Sequence, residues 1–122
     1  MKPIVFVATS RPEKSLAFYR DTLELPLTED QPYALVFDAG GCQLRVQKVE
    51  QVIVQPYTAA GWEVDDIDQM VNKLFRKRVF MERFPFLDQD KDGIWTTPDG
   101  ARIAWFKDPD ENLLSLTEFS PA

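Results

Sequence analysis

Short apolar runs separated by turn residues dominate the chain, and they alternate with two stretches in which apolar residues recur every three or four positions. The short runs have the length and the flanking residues typical of strands. The predicted strands cover residues 4–8, 25–28, 33–37, 43–49, 58–64, 79–82, 93–97, 101–107 and 113–119. Each of the two stretches with the longer period predicts an amphipathic helix.

The first helix is predicted to begin after Ser10 and to continue to about Leu23. Ser10 and Glu13 have the Ser-x-x-Glu spacing of a capping box, in which the serine side chain accepts a hydrogen bond from a backbone amide of the first turn. Leu16, Tyr19 and Leu23 fall roughly on one face, as an amphipathic helix requires.

The second helix is predicted to begin within the acidic residues 65–68, which act as its cap. Its apolar stripe follows the spacing i, i+3, i+4, i+7 and i+8. The residues of this stripe are Ile67, Met70, Val71, Leu74 and Phe75. The two helices begin roughly 55 residues apart, a period long enough for a complete module of one helix and several strands.

The order of strand, helix and further strands therefore occurs twice, which predicts an α+β fold made of two βαβββ modules. We expect the modules at about residues 1–50 and about residues 57–120, within one domain that covers residues 1–122. Such strands form curled mixed or antiparallel sheets, and we expect them to surround a cavity with the helices outside.

Composition narrows the classes of protein that the chain can represent. With 122 residues and a hydrophobic share of 44%, it is long enough for one domain with its own core. Acidic residues outnumber basic ones by 20 to 14, and the net charge of −6 argues against a nucleic-acid partner. No apolar run approaches the roughly 18 residues of a membrane span, so no membrane partner is expected. Residues 4–7 are too short for a signal-peptide core, and Cys42 is the only cysteine, so we expect a cytoplasmic protein.

The chain contains no histidine. Histidine is the usual general base near neutral pH and the commonest metal ligand in proteins. Its absence excludes Ser-His and Cys-His catalytic pairs, and the chain has no glycine-rich motif for phosphate either. The usual signatures of nucleophilic catalysis are therefore missing.

The acidic segment from Asp88 to Asp92 matches the first half of an EF-hand calcium loop, with Asp99 at the twelfth position. An EF-hand needs a helix on each side, whereas Pro85 and Pro98 flank this segment. We therefore interpret it as a solvated loop between two strands, although the sequence leaves calcium binding open.

Two segments resemble the motifs of a known family. Residues 15–25 read SLAFYRDTLEL and resemble the S-x-x-F-Y-x-x-x-L-G-L helix end of the vicinal-oxygen-chelate superfamily, which includes glyoxalases, bleomycin-resistance proteins and dioxygenases. Residues 104–114 read AWFKDPDENLL and resemble the F-x-D-P-D-G-N hairpin of the same family. Glu24 and Glu111 replace glycines of these motifs, which predicts positive φ angles at both residues with a cost of about 1 kcal/mol each.

The resemblance implies a divalent metal held by four strand residues, two from each module. Counting from the shared motifs places the first of these positions within about two residues of Lys2 and the others at Arg45, Ala59 and Ser115. This set does not provide the imidazole, thiolate and carboxylate ligands of a transition-metal site. We therefore expect a family member without a metal or other cofactor, and we do not expect metal-dependent glyoxalase, dioxygenase or fosfomycin-type activity.

The resemblance also implies that one face of each sheet lines a cavity. On this basis Arg45 is a candidate donor to a carboxylate or phosphate oxygen, and Glu63 is a candidate partner of Arg45 or a candidate catalytic base. Trp62, Trp95 and Trp105 are candidates for stacking on a flat ligand, although aromatic residues on strands are more often core residues. Trp95 also borders the acidic loop and is a candidate lid. The predicted ligand-binding residues are Gln43, Arg45, Gln47, Glu63, Trp95, Ser115 and Thr117.

Three functional interpretations remain open. The first is a metal-independent small-molecule binder similar to the drug-sequestering members of the family, which binds without turnover. The second is a metal-independent lyase or isomerase that uses Glu63 as its base. The third is a structural or regulatory dimer whose cavity is filled, for example by an Arg45–Glu63 salt bridge. The resemblance implies a homodimer, and the identity of the small molecule is not predicted.

Overall fold

The computed structural model describes residues 1–120, which form two four-stranded sheets. In the first sheet, β1 (Ile4–Thr9) lies at one edge and pairs in parallel with β4 (Gln43–Lys48). Next to β4 lies the antiparallel strand β3 (Ala34–Asp38), and β2 (Leu27–Asp30) forms the other edge. The strand order is therefore β1-β4-β3-β2.

The second sheet repeats this arrangement. Its edge strand β5 (Thr58–Glu63) pairs in parallel with β8 (Leu113–Glu118). The strand β7 (Arg102–Lys107) pairs antiparallel with β8, and the short strand β6 (Trp95–Thr96) completes the order β5-β8-β7-β6. The edges β1 and β5 contact each other. The predicted α+β fold of two βαβββ modules is confirmed, while the module boundaries stay a prediction.

The first helix differs from the prediction at its beginning. The helix α1 (Pro12–Ala17) continues directly into a π-helical turn (Phe18–Thr22), so the helical segment ends close to the predicted Leu23. The predicted capping box is wrong, because Arg11 precedes the helix and no side chain caps it. Ser10 instead donates its backbone N–H and its hydroxyl to the carboxylate of Asp110.

The second helix agrees with the prediction at its cap but not along its whole stripe. In α2 (Ile67–Arg76), the side chain of Asp66 accepts a hydrogen bond from the backbone N–H of Gln69. Three residues of the stripe are buried, namely Ile67, Val71 and Leu74, but Phe75 is 59% exposed. Phe75 contacts Phe80 instead of a sheet, so its predicted place in the core is wrong.

The predicted strand at residues 79–82 is also wrong. This segment is joined to β7 by the hydrogen bond from Glu82 N to Trp105 O, at 2.7 Å, and does not form a ladder. Part of the reason lies in the side chain of Gln89, which donates to the carbonyls of Glu82 and Gly93 and accepts from the backbone N–H of Phe84. An amide side chain therefore satisfies backbone groups that a neighbouring strand would otherwise pair.

One core connects the two modules. Side chains from both sheets and both helices form a single buried cluster, in which Phe18 lies 6.3 Å from Phe106 between ring centroids. Leu44 and Val46 of β4 and Leu114 of β8 point into this cluster. Since strand side chains alternate between faces, their neighbours on the same strands point to the opposite faces of the sheets.

A buried polar network joins the two motifs on which the family resemblance rests. Tyr19 donates its hydroxyl to Asp108 Oδ2 at 2.6 Å, and Asn112 Nδ2 donates to the same oxygen at 2.8 Å. Burial raises the pKa of the Asp108 carboxyl, even though these donors favour its charged form. Burial and then the charge of Asp108 raise the pKa of the Tyr19 hydroxyl well above its usual value.

A second carboxylate of the same hairpin contacts the first module directly. Asp110 accepts hydrogen bonds from the side chains of Thr9, Ser10 and Ser15. Burial alone raises the pKa of Asp110, but these hydrogen bonds and the one from the backbone N–H of Ser10 outweigh it, and the pKa lies below its usual range. We call the residues around Asp108 and Asp110 the module junction.

No helix in the described part of the chain is long and apolar enough to cross a membrane.

Candidate functional site

The sheet faces that point away from the core are the candidate functional site, and we call them the open faces. In the first sheet, the pairing of β1 with β4 places Phe6 beside Arg45. Gln43 and Gln47 lie two residues before and after Arg45 and therefore point to the same face. Gln43, Gln47 and Phe6 are exposed, while Arg45 is half-buried.

Arg45 contacts neutral side chains on this face. Its guanidinium donates from Nη2 to Gln31 Oε1 at 2.7 Å and from Nη1 to Gln43 Oε1 at 3.4 Å. None of the ion pairs among residues 1–120 involves Arg45. The positive charge is therefore held in place by amide oxygens that do not neutralise it.

The open face of the second sheet carries the other predicted site residues. Ser115 pairs with Trp105 and Thr117 pairs with Ile103 across the antiparallel strands β7 and β8, so these side chains share one face. Trp95 pairs with Ile103 on the other side and belongs to the same face.

Four aromatic side chains form a cluster at this face. The rings of Trp95 and Trp105 are stacked at 6.3 Å with an interplanar angle of 29°. Phe84 meets Trp105 edge-on at 5.4 Å, and Phe86, which is 80% exposed, lies 5.7 Å from Phe84. Trp105 Nε1 donates to the hydroxyl of Thr58 at 3.1 Å, which fixes its ring. Trp95, the candidate lid, is stacked on Trp105, and the two rings form a flat platform.

Sequence reasoning left Phe84 out of the site, and Trp62, a third candidate for stacking on a ligand, packs against the core instead. Trp105 lies between the core residues Ala104 and Phe106, and its alternation with them was the signal that places it on the opposite face. Phe84 lies outside the regular strands, so no periodicity indicates where it points.

Glu63 lies apart from Arg45. It pairs with Thr117 in the ladder between β5 and β8, but its side chain is exposed and lines a groove of about 420 Å³ at the beginning of α2. No Arg45–Glu63 ion pair forms among residues 1–120. The two residues that the sequence offered as a pair belong to different sheets and have different neighbours.

The residues at the expected metal positions do not fit a metal. The residue that faces Arg45 across β1 and β4 is Phe6, and the residue that faces Ser115 across β5 and β8 is Gly61. A Cβ atom added to Gly61 would lie 2.2 Å from Ser115 Oγ, so any side chain at this position would require the Ser115 hydroxyl to move. Within residues 1–120, no group of three or more histidine, cysteine or acidic side chains is arranged to hold a metal ion. The donor set therefore disagrees with the metal site that the family implies.

The acidic segment from Asp88 to Asp92 folds as a tight loop. Asp90 Oδ1 accepts hydrogen bonds from the backbone N–H groups of Asp92 and Ile94, each at 2.9 Å. No helix flanks the loop in the part of the chain that the structure describes, so the arrangement is not an EF-hand.

The two glutamates at the glycine positions of the family motifs have the predicted backbone conformation. The φ angle is 60° at Glu24 and 68° at Glu111. Both values lie in the left-handed region, which glycine adopts most easily. Glu24 forms ion pairs with Lys73 and Lys77 of the second module, whereas no ion pair among the described residues involves Glu111.

A comparison with protein families agrees with the fold and with the two motifs. The model of the Glyoxalase/Bleomycin resistance protein/Dioxygenase superfamily matches residues 3–116, and the chain therefore belongs to this superfamily. The uncharacterized protein YraH of Bacillus subtilis (strain 168) is 28% identical over 120 residues, and the match covers 85% of this chain and 87% of that protein.

Solved structures of the superfamily share the fold. Lactoylglutathione lyase from Agrobacterium tumefaciens has a TM-score of 0.75 at 15% identity, with 97% of this chain and 92% of that chain covered. The fosfomycin resistance protein FosX from Listeria monocytogenes has a TM-score of 0.75 at 13% identity, with 99% and 94% covered. A superfamily member from Sphaerobacter thermophilus DSM 20745 has a TM-score of 0.74 at 20% identity, with 98% and 97% covered. At these identities the likeness concerns the fold and does not identify the reaction or the ligand.

Proposed function

We propose that the protein binds a small organic anion on its open faces, without a metal ion and without chemical turnover. The observation that carries this proposal is the environment of Arg45, a half-buried guanidinium whose partners are the neutral amides of Gln31 and Gln43. A fixed guanidinium that lacks a carboxylate partner is a ready donor to a carboxylate or phosphate group. An anion attracted to this point would bind despite the net charge of −6.

The aromatic cluster supports a ligand with a flat part. Trp95 and Trp105 form a stacked pair beside the hydroxyls of Ser115 and Thr117. Flat aromatic surfaces flanked by a few polar groups are typical of sites for small organic molecules. Because β1 and β5 contact each other, the open faces of the two sheets are neighbours. We infer that the ligand combines an aromatic part with an anionic group.

The other two interpretations have less support. A catalytic base is usually held in a protected position close to the reacting atom, whereas Glu63 is exposed and has no partner in the ion pairs found among residues 1–120. A cavity filled by an Arg45–Glu63 salt bridge would require contact between two side chains that have different neighbours. Binding without turnover remains the function that the geometry supports best.

We also propose a cytoplasmic homodimer as the state in which the site operates. Exposed apolar side chains support the dimer, because large exposed apolar patches commonly mark interaction surfaces. They include Phe6 on the edge strand β1 and Ile53, Val54 and Tyr57 between the modules. Sedimentation of the purified protein would test this state, and a monomer at all concentrations would contradict it.

The experiment that tests the proposed function is a thermal-shift screen of aromatic carboxylates, organic phosphates and drug-like anions in the presence of EDTA. A ligand present at about 100 times its Kd stabilises the folded state by about 2.7 kcal/mol, which is a shift of several degrees for a domain of this size. The result expected is a hit that the variant Arg45→Gln loses and that the control variant Arg76→Gln, at an exposed arginine of α2, retains.

A parallel series with Mn²⁺, Ni²⁺ or Zn²⁺ in place of EDTA makes the proposal falsifiable. Stabilisation that depends on one of these ions would contradict the metal-independent part of the proposal. Hits that Arg45→Gln binds as well as the unchanged protein would contradict the role of Arg45.

A further inference from the structure

A second concave surface lies beside α2, and its lining shares no residue with the open faces or their aromatic cluster. It is a groove of about 530 Å³ between α2 and residues 79–92, and we call it the α2 groove. Its lining includes Phe75, Phe80, Met81, Arg83, Lys91 and Asp92. This volume is in the range of sites for small molecules, which is roughly 300–1,000 Å³.

The floor of the α2 groove is apolar. Phe75 and Phe80 meet edge to face, with ring centroids 5.4 Å apart and an interplanar angle of 80°. Both side chains are 59% exposed. Two adjacent phenylalanines that remain exposed on a folded domain form a surface on which a hydrocarbon or aromatic group gains free energy by leaving water.

The wall of the groove is held in place by close packing and by hydrogen bonds. Gly93 has a φ angle of 86°, and a Cβ atom at this residue would lie 2.7 Å from the Cβ atom of Met81. The loop can therefore approach Met81 only because residue 93 is glycine. The three hydrogen bonds of the Gln89 side chain fix the same loop, with lengths of 2.8, 2.9 and 2.8 Å. The groove is thus formed before any ligand arrives.

The rim of the groove is positively charged on one side. Arg83 Nη2 donates to the backbone carbonyl oxygen of Lys91 at 2.7 Å, which holds the guanidinium at the loop, and Lys91 lines the same groove. Neither cation takes part in the ion pairs found among residues 1–120. Two carboxylates also line the groove, those of Asp68 and Asp92. Asp68 accepts two hydrogen bonds from the guanidinium of Arg102, at 2.6 and 2.9 Å. Asp92 is therefore the lining carboxylate that opposes the positive charges of Arg83 and Lys91.

We propose that the α2 groove is a binding site for small amphipathic carboxylates, with an aromatic or alkyl body on Phe75 and Phe80 and the carboxylate at Arg83 and Lys91. The apolar floor and the cationic rim match the two ends of such a molecule. This site is separate from the open faces, and it does not rest on the proposed function.

The test is a titration of the ¹⁵N-labelled protein with 4-phenylbutyrate, followed by amide chemical-shift changes in NMR spectra. The expected changes centre on residues 71–83 and 91–93. We expect Arg83→Gln to weaken binding by about fivefold to tenfold, because a charge-assisted hydrogen bond at a solvated rim is lost. Asp92→Asn should strengthen binding by about twofold, because it removes the opposing charge. Arg11→Gln, at an exposed arginine before the first helix, serves as the control and should leave the affinity unchanged.

The uncharged amide 4-phenylbutyramide tests the role of the carboxylate. We expect it to bind the unchanged protein about as weakly as 4-phenylbutyrate binds Arg83→Gln. Equal binding of acid and amide would overturn the proposal. Chemical-shift changes that centre on Trp95 and Trp105 and disappear in Arg45→Gln would also overturn it, because they would place the probe on the open faces.

Discussion

The module junction and the open faces of the sheets use polar residues in opposite ways. At the junction, Asp108 and Asp110 accept hydrogen bonds from several donors of the first module and of their own hairpin. No buried side-chain nitrogen or oxygen in the described part of the chain lacks a hydrogen-bond partner. On the open faces, Arg45 keeps a charge that amides do not neutralise, and the tryptophan rings of the second sheet form a platform.

This difference separates the residues that identify the family from those that we propose to bind a ligand. Ser15, Tyr19, Asp108, Asp110 and Asn112 belong to the two family motifs, and they contact one another across the junction. A motif of this kind therefore reports how the two modules are joined. It does not report what the open faces bind, which explains why family membership leaves the ligand undetermined. The comparison predicts that changes at the junction alter stability and that changes on the open faces alter binding.

The largest expected effect is a loss of stability in Asp110→Ala. The change removes the charge-assisted hydrogen bonds that the buried hydroxyls of Thr9 and Ser15 make to Asp110, and it leaves these hydroxyls bonded to each other. The loss should cost about 2–4 kcal/mol in the free energy of unfolding. Urea denaturation measures this cost. Asp65→Ala, at an exposed carboxylate, is the matched control and should change stability little. If both variants unfold at the same urea concentration, the junction does not have the structural role described above.

The pH dependence of stability should distinguish the two junction carboxylates. The folded-state pKa of Asp110 lies below its unfolded value, so its contribution is present above the unfolded value, near pH 4, and is lost as the pH falls through the folded-state pKa. The pKa of Asp108 is raised, so its charged form costs stability at neutral pH and this cost disappears on acidification. The stability advantage of the unchanged protein over Asp110→Asn should therefore shrink at low pH. The difference in stability between the unchanged protein and Asp108→Asn should not shrink over the same pH range. Urea denaturation at several pH values measures both trends, and the reverse order would contradict the assignment.

A smaller loss is expected for Tyr19→Phe, which removes one hydroxyl from the junction. Asp108 would keep its bonds from Asn112 and from two backbone N–H groups, so we expect a cost of about 1–2 kcal/mol. Tyr33→Phe, at an exposed tyrosine, provides the control for the same chemical change. Equal stabilities of these two variants would show that the hydroxyl of Tyr19 does not stabilise the junction.

A gain in stability is expected where a glutamate occupies a left-handed backbone conformation without an ion pair. Glu111→Gly removes this strain and should raise the free energy of unfolding by about 1 kcal/mol. Glu24→Gly should give a smaller gain, because Glu24 also forms ion pairs with Lys73 and Lys77. Thermal unfolding of the two variants compares them, and a loss of stability in Glu111→Gly would contradict the argument from backbone strain.

The smallest expected effect on stability is that of Arg45→Gln. Its partners are amide oxygens on a solvated face, so we expect a change within about 0.5 kcal/mol. A large loss in the urea denaturation of this variant would mean that Arg45 is a structural residue, and the contrast between junction and open faces would not hold.

Much of the fold could be predicted because strand and helix periodicities are local properties of the sequence. The alternation along residues 43–48 and 113–118 correctly separated Leu44 and Leu114 in the core from Arg45 and Ser115 on the open faces. The acidic cap of α2 was also predictable, since Asp66 contacts a residue only three positions away. In both cases, the interactions that decide the structure lie close together in the chain.

The errors concern residues whose partners are distant in the sequence. Ser10 has the spacing of a helix cap, but its hydroxyl donates to Asp110. Asp110 is 100 positions away in the chain, so this contact depends on how the modules are joined. Phe75 continues the apolar stripe of α2, but its side chain is exposed and its ring contacts Phe80 instead of the core. The pairing of Arg45 with Glu63 followed from the single cavity that the family resemblance implies, whereas Arg45 contacts Gln31 from the loop between β2 and β3. Spacing alone does not contain this tertiary information.

The most direct test of the proposed function is isothermal titration calorimetry of the best aromatic carboxylate from the thermal-shift screen, in EDTA, with the unchanged protein, Arg45→Gln and Tyr19→Phe. We predict that Arg45→Gln weakens binding by about tenfold or more, because a charge-assisted hydrogen bond is lost. Tyr19→Phe should bind with the affinity of the unchanged protein in spite of its lower stability. Binding that Tyr19→Phe loses and Arg45→Gln retains would contradict the assignment of the ligand to the open faces.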